Sequence, residues 1–454
     1  MGWFFLTNKA PGFSLVSGGR KSDFPAPAGG DILTPMTGDV QYLFLDLNSY
    51  FASVEQQENP AYRGRPLAVV PTMTEKTCAI AASYEAKALG ITTGTMIYEA
   101  KKLCPSLIIV QARHDVYVDY HHAIMEELER HVPIETIHSV DEAACRLIGR
   151  ECQVENAIRL AREIKAGIHK NIGPAIGCSI GLSCNSYLAK LATELQKPDG
   201  LVVLGLEDLP GRILHMGLTG LPWIARGVER RLKNSGVHDV ESLWRLDSGR
   251  MRRIWGSVVG QRFWYMLHGE QVPPIEITKR MVGHSHVLAP KLREPHLAHL
   301  VARCLMVRAA SRLRRMGYWA AEANVSTRFV CGGRWGERVA MPLTQDSFTM
   351  TRAIDAMWQK LDASHGRRPV KQVSVTLCKL TKEGDIILDL FDPLPGLEAK
   401  AHQRRISLSH SLDGLNRRYG RDTVTYGIQP PIEAEFISTK IAFTRIPERE
   451  EFYE

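Results

Sequence analysis

The chain has 454 residues and a formal net charge of +8, with a pI near 9.0; that length is too great for one hydrophobic core and implies two to four domains. Hydrophobic residues make up 44% and charged residues 23%, the balance of an ordinary globular protein, which argues against a disordered, collagenous or membrane-embedded chain. The positive excess favours a polyanionic partner, nucleic acid first.

Residues 1–40 are rich in Gly, Pro and Ser and lack a basic segment followed by a long apolar core. They read as a disordered leader rather than a signal peptide. No apolar run approaches the roughly 20 residues of a membrane span. The nine cysteines are scattered, with no CxxC pair and no Cys/His cluster at zinc spacing, as expected of thiols in a reducing cytoplasm. His121 and His122 are adjacent, which makes a poor chelate on a helix.

"QYLFLDL" (41–47) is a near-continuous apolar run and predicts a buried strand. "NSYFASVEQQENP" predicts a helix with Asn48 or Ser49 as its cap and Asn59-Pro60 as its stop. "PLAVVP" (66–71) is a second short strand, and 72–110 read as a compact insertion of small helices and Gly turns. A helix over 116–132 precedes "IETIHSVDEAACRLIG" (134–149), whose alternation predicts a β-hairpin with Asp141 and Glu142 at or near its turn. An amphipathic basic helix (156–173), a Gly-containing strand (175–183), a capped helix (185–200) and "LVVL" (201–204) follow. This order predicts an α+β sheet with helices on one face. Residues 208–270 are helical and rich in Arg, Trp and Gly, and "EQVPPIEITK" is an extended linker. Residues 281–395 form a further mixed unit with two helices, two strands, and seventeen Lys/Arg against ten Asp/Glu. The tail carries one helical segment, "RRISLSHSLDGLNRRYG".

Asp46 ends an apolar strand, and Asp141 and Glu142 lie on a hairpin of the same sheet. Three carboxylates brought together repel, and burial raises that cost. A divalent cation relieves it, and oxygen-only donors suit Mg²⁺ rather than zinc. On spacing alone a solvated turn is the competing reading of Asp141–Glu142.

"YLFLDLNSYFASVE", "AASYEAKALGITTGT", "HSVDEA", "SIGLSCNSYLAKLATELQKPDG" and "VGHSHVL" occur in this order. Together they resemble the Y-family translesion DNA polymerases, the DinB/UmuC group, over about residues 41–395. The tail "LDGLNRRYGRDTV" is similar to the SOS mutagenesis branch. The resemblance implies a right-hand α+β polymerase: a ferredoxin-like palm (41–71 and 111–205), small fingers (72–110), a helical thumb (206–270), a linker (271–280), an α/β little finger (281–395) and a tail (396–454). It implies that Asp46, Asp141, Glu142 and the Leu47 carbonyl hold two Mg²⁺ ions, with Glu142 nearest the primer 3′-hydroxyl. Phe51 falls at the steric gate against ribonucleotides. Tyr84 and Lys87 from the fingers, Lys197 from the palm, and the backbone N–H groups of Ser49 and Tyr50 would meet the triphosphate. The implied partners are primer–template DNA, a dNTP and the sliding clamp, the last through Leu388, Asp389, Leu390 and Phe391 of "ILDLF"; other mutagenesis subunits join that set. A non-catalytic accessory protein is the rival reading, opposed by the retained acids.

Several positions depart from the family pattern. Asn48 stands where many relatives have a second acid, Lys87 replaces a commoner Arg, and Ala81 replaces a hydroxyl residue. "WIARG" lacks the usual Gly-x-Gly hairpin of the thumb.

Overall fold

A computed structural model of the chain describes residues 40–275, 278–386, 396–420 and 423–427, with 441, 446, 447 and 449–452. It divides into two compact units, Met1–Pro273 with Ile441–Ile446, and Pro274–Lys440 with Pro447–Glu454. The expected leader lies outside the described residues except Val40, which is buried and whose N–H bonds to the Cys152 carbonyl.

The first unit runs β1 (Tyr42–Leu47), α1 (Tyr50–Glu58), β2 (Leu67–Val70), β3 (Ala81–Ala82), α2 (Tyr84–Ala88), α3 (Ile97–Leu103), β4 (Ile108–Gln111), α4 (His114–Glu129), β5 (Ile134–Ser139), β6 (Glu142–Arg146), α5 (Val154–Gly167), β7 (Cys178–Ser183), α6 (Ser186–Leu195) and β8 (Leu201–Leu204). Five of its strands form a palm-like sheet in the order β5-β6-β1-β7-β8. All neighbours are antiparallel except β7 and β8.

β1 is central and buried at all six positions. Its odd-numbered residues Leu43, Leu45 and Leu47 enter the main core with Ile124 and Leu128 of α4 and Ala161 and Ile164 of α5. Tyr42 and Phe44 face the other way and pack with Ala144 and Ala189 of α6. The expectation of helices on one face is therefore corrected: α6 covers the opposite face. The physical reason is in β1 itself, where both alternate sets of side chains are apolar and each needs a cover. Gly181 lets α6 lie flush on the sheet. A Cβ there would stand 2.0 Å from the Ala189 backbone oxygen.

The second short strand also departs from expectation. β2 pairs with β3 and β4, not with the palm-like sheet. Leu67 and Val69 still enter the main core, while Ala68 and Val70 enter a smaller core with Ala86, Ile91 and Ile97. β2 thus belongs to the insertion by hydrogen bonding and to both cores by packing.

Four helices, α7 (Arg226–Asn234), α8 (Val240–Trp244), α9 (Ser248–Trp255) and α10 (Val258–Leu267), complete this unit. Their core of Leu232, Leu243, Met251 and Phe263 is continuous with Tyr187, Leu188 and Leu191 of α6. In the departing "WIARG" segment Trp223 takes a left-handed backbone, φ 68°, a conformation that glycine adopts at least cost.

The second unit contains β9 (Met281–Val287), α11 (Pro295–Arg315), β10 (Tyr318–Phe329), β11 (Arg334–Thr344), α12 (Ser347–His365), β12 (Val370–Lys382) and α13 (Gly396–Tyr419). Its four strands form an antiparallel sheet in the order β11-β10-β12-β9. α11 and α12 pack on it through Leu305, Met306, Ile354 and Trp358 against Val325, Val373 and Val375. β9 and β11 add to the two expected strands. α13 is longer than the sequence suggested and is docked: Ile406 and Ser409 are buried, and Asp413 pairs with the buried Arg314 of α11. The "ILDLF" residues Leu388, Asp389, Leu390 and Phe391 lie outside the described residues. No helix among the described residues is long and apolar enough to cross a membrane.

Candidate active site

Strand alternation places Asp46 on the same side of β1 as Tyr42 and Phe44, facing α6 rather than the main core. It is 5% exposed. The register sets Glu142 of β6 opposite it on one side and Ser179 of β7 on the other. The hairpin turns at Val140–Asp141, as its sequence alternation predicts. The Leu47 N–H donates to the Asp141 carbonyl at 2.9 Å, which fixes the turn beside the end of β1. Ser139 Oγ donates to Asp141 Oδ1 at 2.5 Å.

His121 of α4 braces this turn from behind. Its Nδ1 lies 2.8 Å from the Val140 carbonyl; a carbonyl can only accept, so Nδ1 carries the proton. The ring is 1% exposed, and burial pushes its pKa down to about 4. Burial first, with Glu142 and Asp46 adding to it against the Ser139 hydrogen bond, pushes the Asp141 carboxyl up to about 6.

The opposite wall is built by the starts of α1 and α2. Ser49 enters α1 in a left-handed conformation, φ 49°, with no side-chain cap bond, so the expected capping by Asn48 or Ser49 does not form. Asn48 is employed elsewhere. Its Nδ2 donates to Ser179 Oγ at 3.0 Å, and its Oδ1 accepts from the Asp199 N–H at 2.8 Å. It therefore fastens the loop that follows Lys197, a task for which an amide supplies both donor and acceptor. Ser83 caps α2 through the Ala86 N–H and aims Tyr84 and Lys87 inward. The Lys87 ammonium lies 4.5 Å from the Tyr84 ring centre. Burial, with the charge of Lys197 beside it, lowers the Lys87 pKa. Phe51 stacks on Tyr117 with ring centres 4.5 Å apart at 16°. Tyr117 is held in turn by its hydroxyl donating to Glu55 at 2.8 Å.

Asp46, Leu47, Ser49, Tyr50, Phe51, Tyr84, Lys87, Asp141, Glu142 and Lys197 all line one cleft of about 260 Å³. Ile80, Ala81 and Ala82 form part of its wall.

Two residues absent from the sequence reading complete the cleft. Lys190 of α6 donates to Asp46 Oδ2 and, at 2.9 Å, to Glu194 Oε1; it pairs with Glu142 Oε1 at 3.0 Å. Lys197 pairs with Asp46 Oδ1 and Glu194 Oε1, each at 2.9 Å. Burial alone would lower the Lys190 pKa, but the surrounding Asp46, Glu142 and Glu194 hold it well above the usual lysine range. The signal lay in "SYLAKLATEL": a lysine inside an otherwise apolar face, with an acid four residues on.

Among the described residues no three acidic, His or Cys side chains are gathered closely enough to share one ion. The donor set nevertheless suits a hard divalent cation. It is oxygen-only, two of its carboxylates face each other across a strand pair, and the pKa of Asp141 is raised by burial first and then by the neighbouring Glu142 and Asp46, costs that a cation would offset.

Residues 45–194 match the impB/mucB/samB family and residues 279–390 match its C-terminal domain. A DNA polymerase IV of Moorella thermoacetica is 30% identical over 397 residues, covering 86% of this chain and 96% of the relative. DNA polymerase IV 1 of Bacillus subtilis is 24% identical over 401 residues, covering 86% and 94%. Among solved structures, a Y-family DNA polymerase chimera of Dbh and Dpo4 aligns with a TM-score of 0.64 at 22% identity, over 75% of this chain and 99% of that one. An insertion ternary complex of Dbh DNA polymerase aligns with a TM-score of 0.51 at 23% identity, over 77% and 99%. The two structures agree with the fold, and the sequence relatives carry the assignment: the chain belongs to the impB/mucB/samB family, the Y-family DNA polymerases.

Proposed function

We propose that the protein is a translesion DNA polymerase. It extends a primer on a damaged template with low fidelity, by in-line attack of the primer 3′-oxygen on the α-phosphate of a dNTP with release of pyrophosphate. The observation that carries this reading is the convergence of Asp46, Asp141 and Glu142 with Tyr84, Lys87 and Lys197 on a single cleft. Two Mg²⁺ ions, when bound, would supply the charge that stabilises the attacking and leaving oxygens.

Asp46, Asp141, Glu142 and the Leu47 carbonyl are the donors we assign to those ions. Glu142 heads β6 directly after the hairpin turn and lines the cleft, a placement suited to the primer terminus. Lys87 and Lys197, with the N–H groups of Ser49 and Tyr50, hold the triphosphate and orient its leaving group. Phe51, backed by the Tyr117 ring, fills the space that a ribose 2′-hydroxyl requires. Ala81 and Ala82 present only methyl groups to the cleft, which supports tolerance of a distorted or bulky base pair. The clamp-binding assignment to Leu388, Asp389, Leu390 and Phe391 rests on sequence alone.

Primer extension with Mg²⁺ on an undamaged and a lesion-bearing template tests the reading. Asp141→Asn and Glu142→Gln each lose about 10²- to 10⁴-fold in rate while still binding DNA; full extension by either rejects the assignment. Phe51→Ala lowers discrimination against ribonucleotides by about tenfold or more, on the usual worth of a buried steric contact. Unchanged sugar selectivity places the gate elsewhere.

A further inference from the structure

We infer that Lys190 is a resident counter-ion of the carboxylate site, a positioning residue that takes the charge role of a divalent cation until metal and nucleotide arrive together. The inference rests on the metal-holding reading of Asp46 and Glu142 given above. Its ammonium bridges Asp46 of β1 and Glu142 of β6, with Glu194 of its own helix as a third partner. The Lys190 side chain is only 11% exposed and that of Asp46 7%. A carboxylate buried to that degree is not stable as a lone charge, and removing its partner leaves a large uncompensated cost. Lys190 and Lys197 set two positive charges against the three acids Asp46, Glu142 and Glu194.

The placement is built into the fold. Gly181 allows α6 to approach the sheet until Ala189 packs with Phe44 and Ala144. The next residue, Lys190, then projects its ammonium to within 5.5 Å of the Phe44 ring centre, beside Asp46. The choice of residue also fits an exchangeable role. Lysine is a point charge on a flexible stem, whereas an arginine fork would clamp the carboxylates. Glu194 gives the ammonium somewhere to go, because it lies one helical turn on and already accepts Lys190 and Lys197 at 2.9 Å. Lys197 shares the arrangement, since it holds Asp46 Oδ1 and must leave it to meet a triphosphate. A metal ion arriving alone must displace two ammonium groups from Asp46. One arriving with the triphosphate brings the anion that takes Lys197 away. Lys190 therefore holds the free enzyme's affinity for metal down and keeps the carboxylates together in the meantime.

Mn²⁺ is the probe, with the full-length protein and neither DNA nor nucleotide present. Lys190→Met should bind Mn²⁺ at least about tenfold more tightly than wild type, from the loss of one unit charge at contact distance, read by electron paramagnetic resonance. In EDTA its melting temperature should fall by roughly 10 °C, and Mn²⁺ should restore most of that loss. Lys165→Met is the control: Lys165 is a second largely buried lysine, bonded to the Cys178 and Asp199 carbonyls and not part of the cleft lining. Its loss of stability should be indifferent to Mn²⁺. Lys190→Arg should match wild type in EDTA and bind Mn²⁺ more weakly. The inference is overturned if Lys190→Met gains no Mn²⁺ affinity, if Mn²⁺ stabilises it no more than Lys165→Met, or if it fails to fold even with Mn²⁺. Failure of the metal-holding reading looks different: wild type would then bind no Mn²⁺ with dNTP present, and Asp141→Asn would leave extension intact.

Discussion

Each of the two units buries a cluster of charged side chains, and they secure it by different chemistry. In the first unit Asp46, Glu142 and Glu194 are met by the ammonium groups of Lys190 and Lys197 at the wall of an open cleft. In the second, Arg314 is met by both oxygens of Asp413 at 2.6 and 2.8 Å, the Gln345 carbonyl at 2.6 Å and Ser347 Oγ at 3.0 Å. The planar fork of Arg314 is saturated by acceptors fixed on separate elements, so it fastens α13 to α11 and to the start of α12. The lysines satisfy their acids with charge but little direction. One arrangement is a rivet; the other, on the inference drawn above for Lys190, is an exchangeable filling.

The sharpest way to break this contrast is to cut the rivet. Arg314→Met should cost about 3–5 kcal/mol, the usual price of stranding a buried partner, with no recovery in divalent cation. Arg314→Lys should recover only part of it, because one ammonium cannot serve acceptors that a fork serves together. Denaturant unfolding followed on the second unit measures both. Full rescue by lysine would erase the distinction between fork and point charge.

A buried titratable group can also be kept neutral, and His121 supplies that case within the first unit. Its folded pKa of about 4 lies below the ordinary 6.5, so the unfolded chain binds the extra proton. Stability from this group is present above pH 6.5 and is lost as pH falls from there toward 4. At pH 5 the loss is about 2 kcal/mol relative to neutral pH. His121→Gln keeps a donor for the Val140 carbonyl but cannot titrate, so its stability profile should be flatter over that window. Asp141, raised to about 6, works in the opposite sense, which makes the difference between variant and wild type the quantity to read. An unchanged acid limb would mean that His121 titrates normally.

The smallest effect is expected from a pair with no burial to enforce it. Lys101 and Glu75 meet on the surface with side chains 45% and 60% exposed. Lys101→Ala should change stability by less than about 0.5 kcal/mol, less still in high salt. A loss as large as that of Arg314→Met would show that burial is not what separates the classes.

Much of the first unit was legible in the sequence because its signals are local. "YLFLDL" is apolar on both alternate sets, and "SVDEA" places charge where a hairpin turns. "NSYLAKL" carries its own cap, with Asn185 accepting from the Leu188 N–H. The misses are non-local. β2 finds its parallel partner forty-one residues on, at Ile108–Gln111, and nothing in "LAVV" says which sheet it joins. Lys190 stands on an otherwise apolar helix face, but that it meets Asp46 and Glu142 is seen only once α6 is laid on β1. β11 alternates as a half-buried strand should, but Pro342 and Gly336 mask it; the proline is tolerated because β11 is an edge strand. Asn48 looked like a lost acid, and only the fold shows its amide bracing the loop beyond Lys197.

The position of β2 has a consequence for exchanging parts between related polymerases. A graft of residues 72–110 that leaves the strand behind takes β3 and β4 away from its two edges. A graft that carries the strand along withdraws Leu67 and Val69 from the recipient's larger core. Neither cut is clean, because the seam between the two modules runs down the middle of a strand, separating its odd residues from its even ones. A working chimera therefore has to treat 67 and 69 as belonging to one parent and 68 and 70 as belonging to the other.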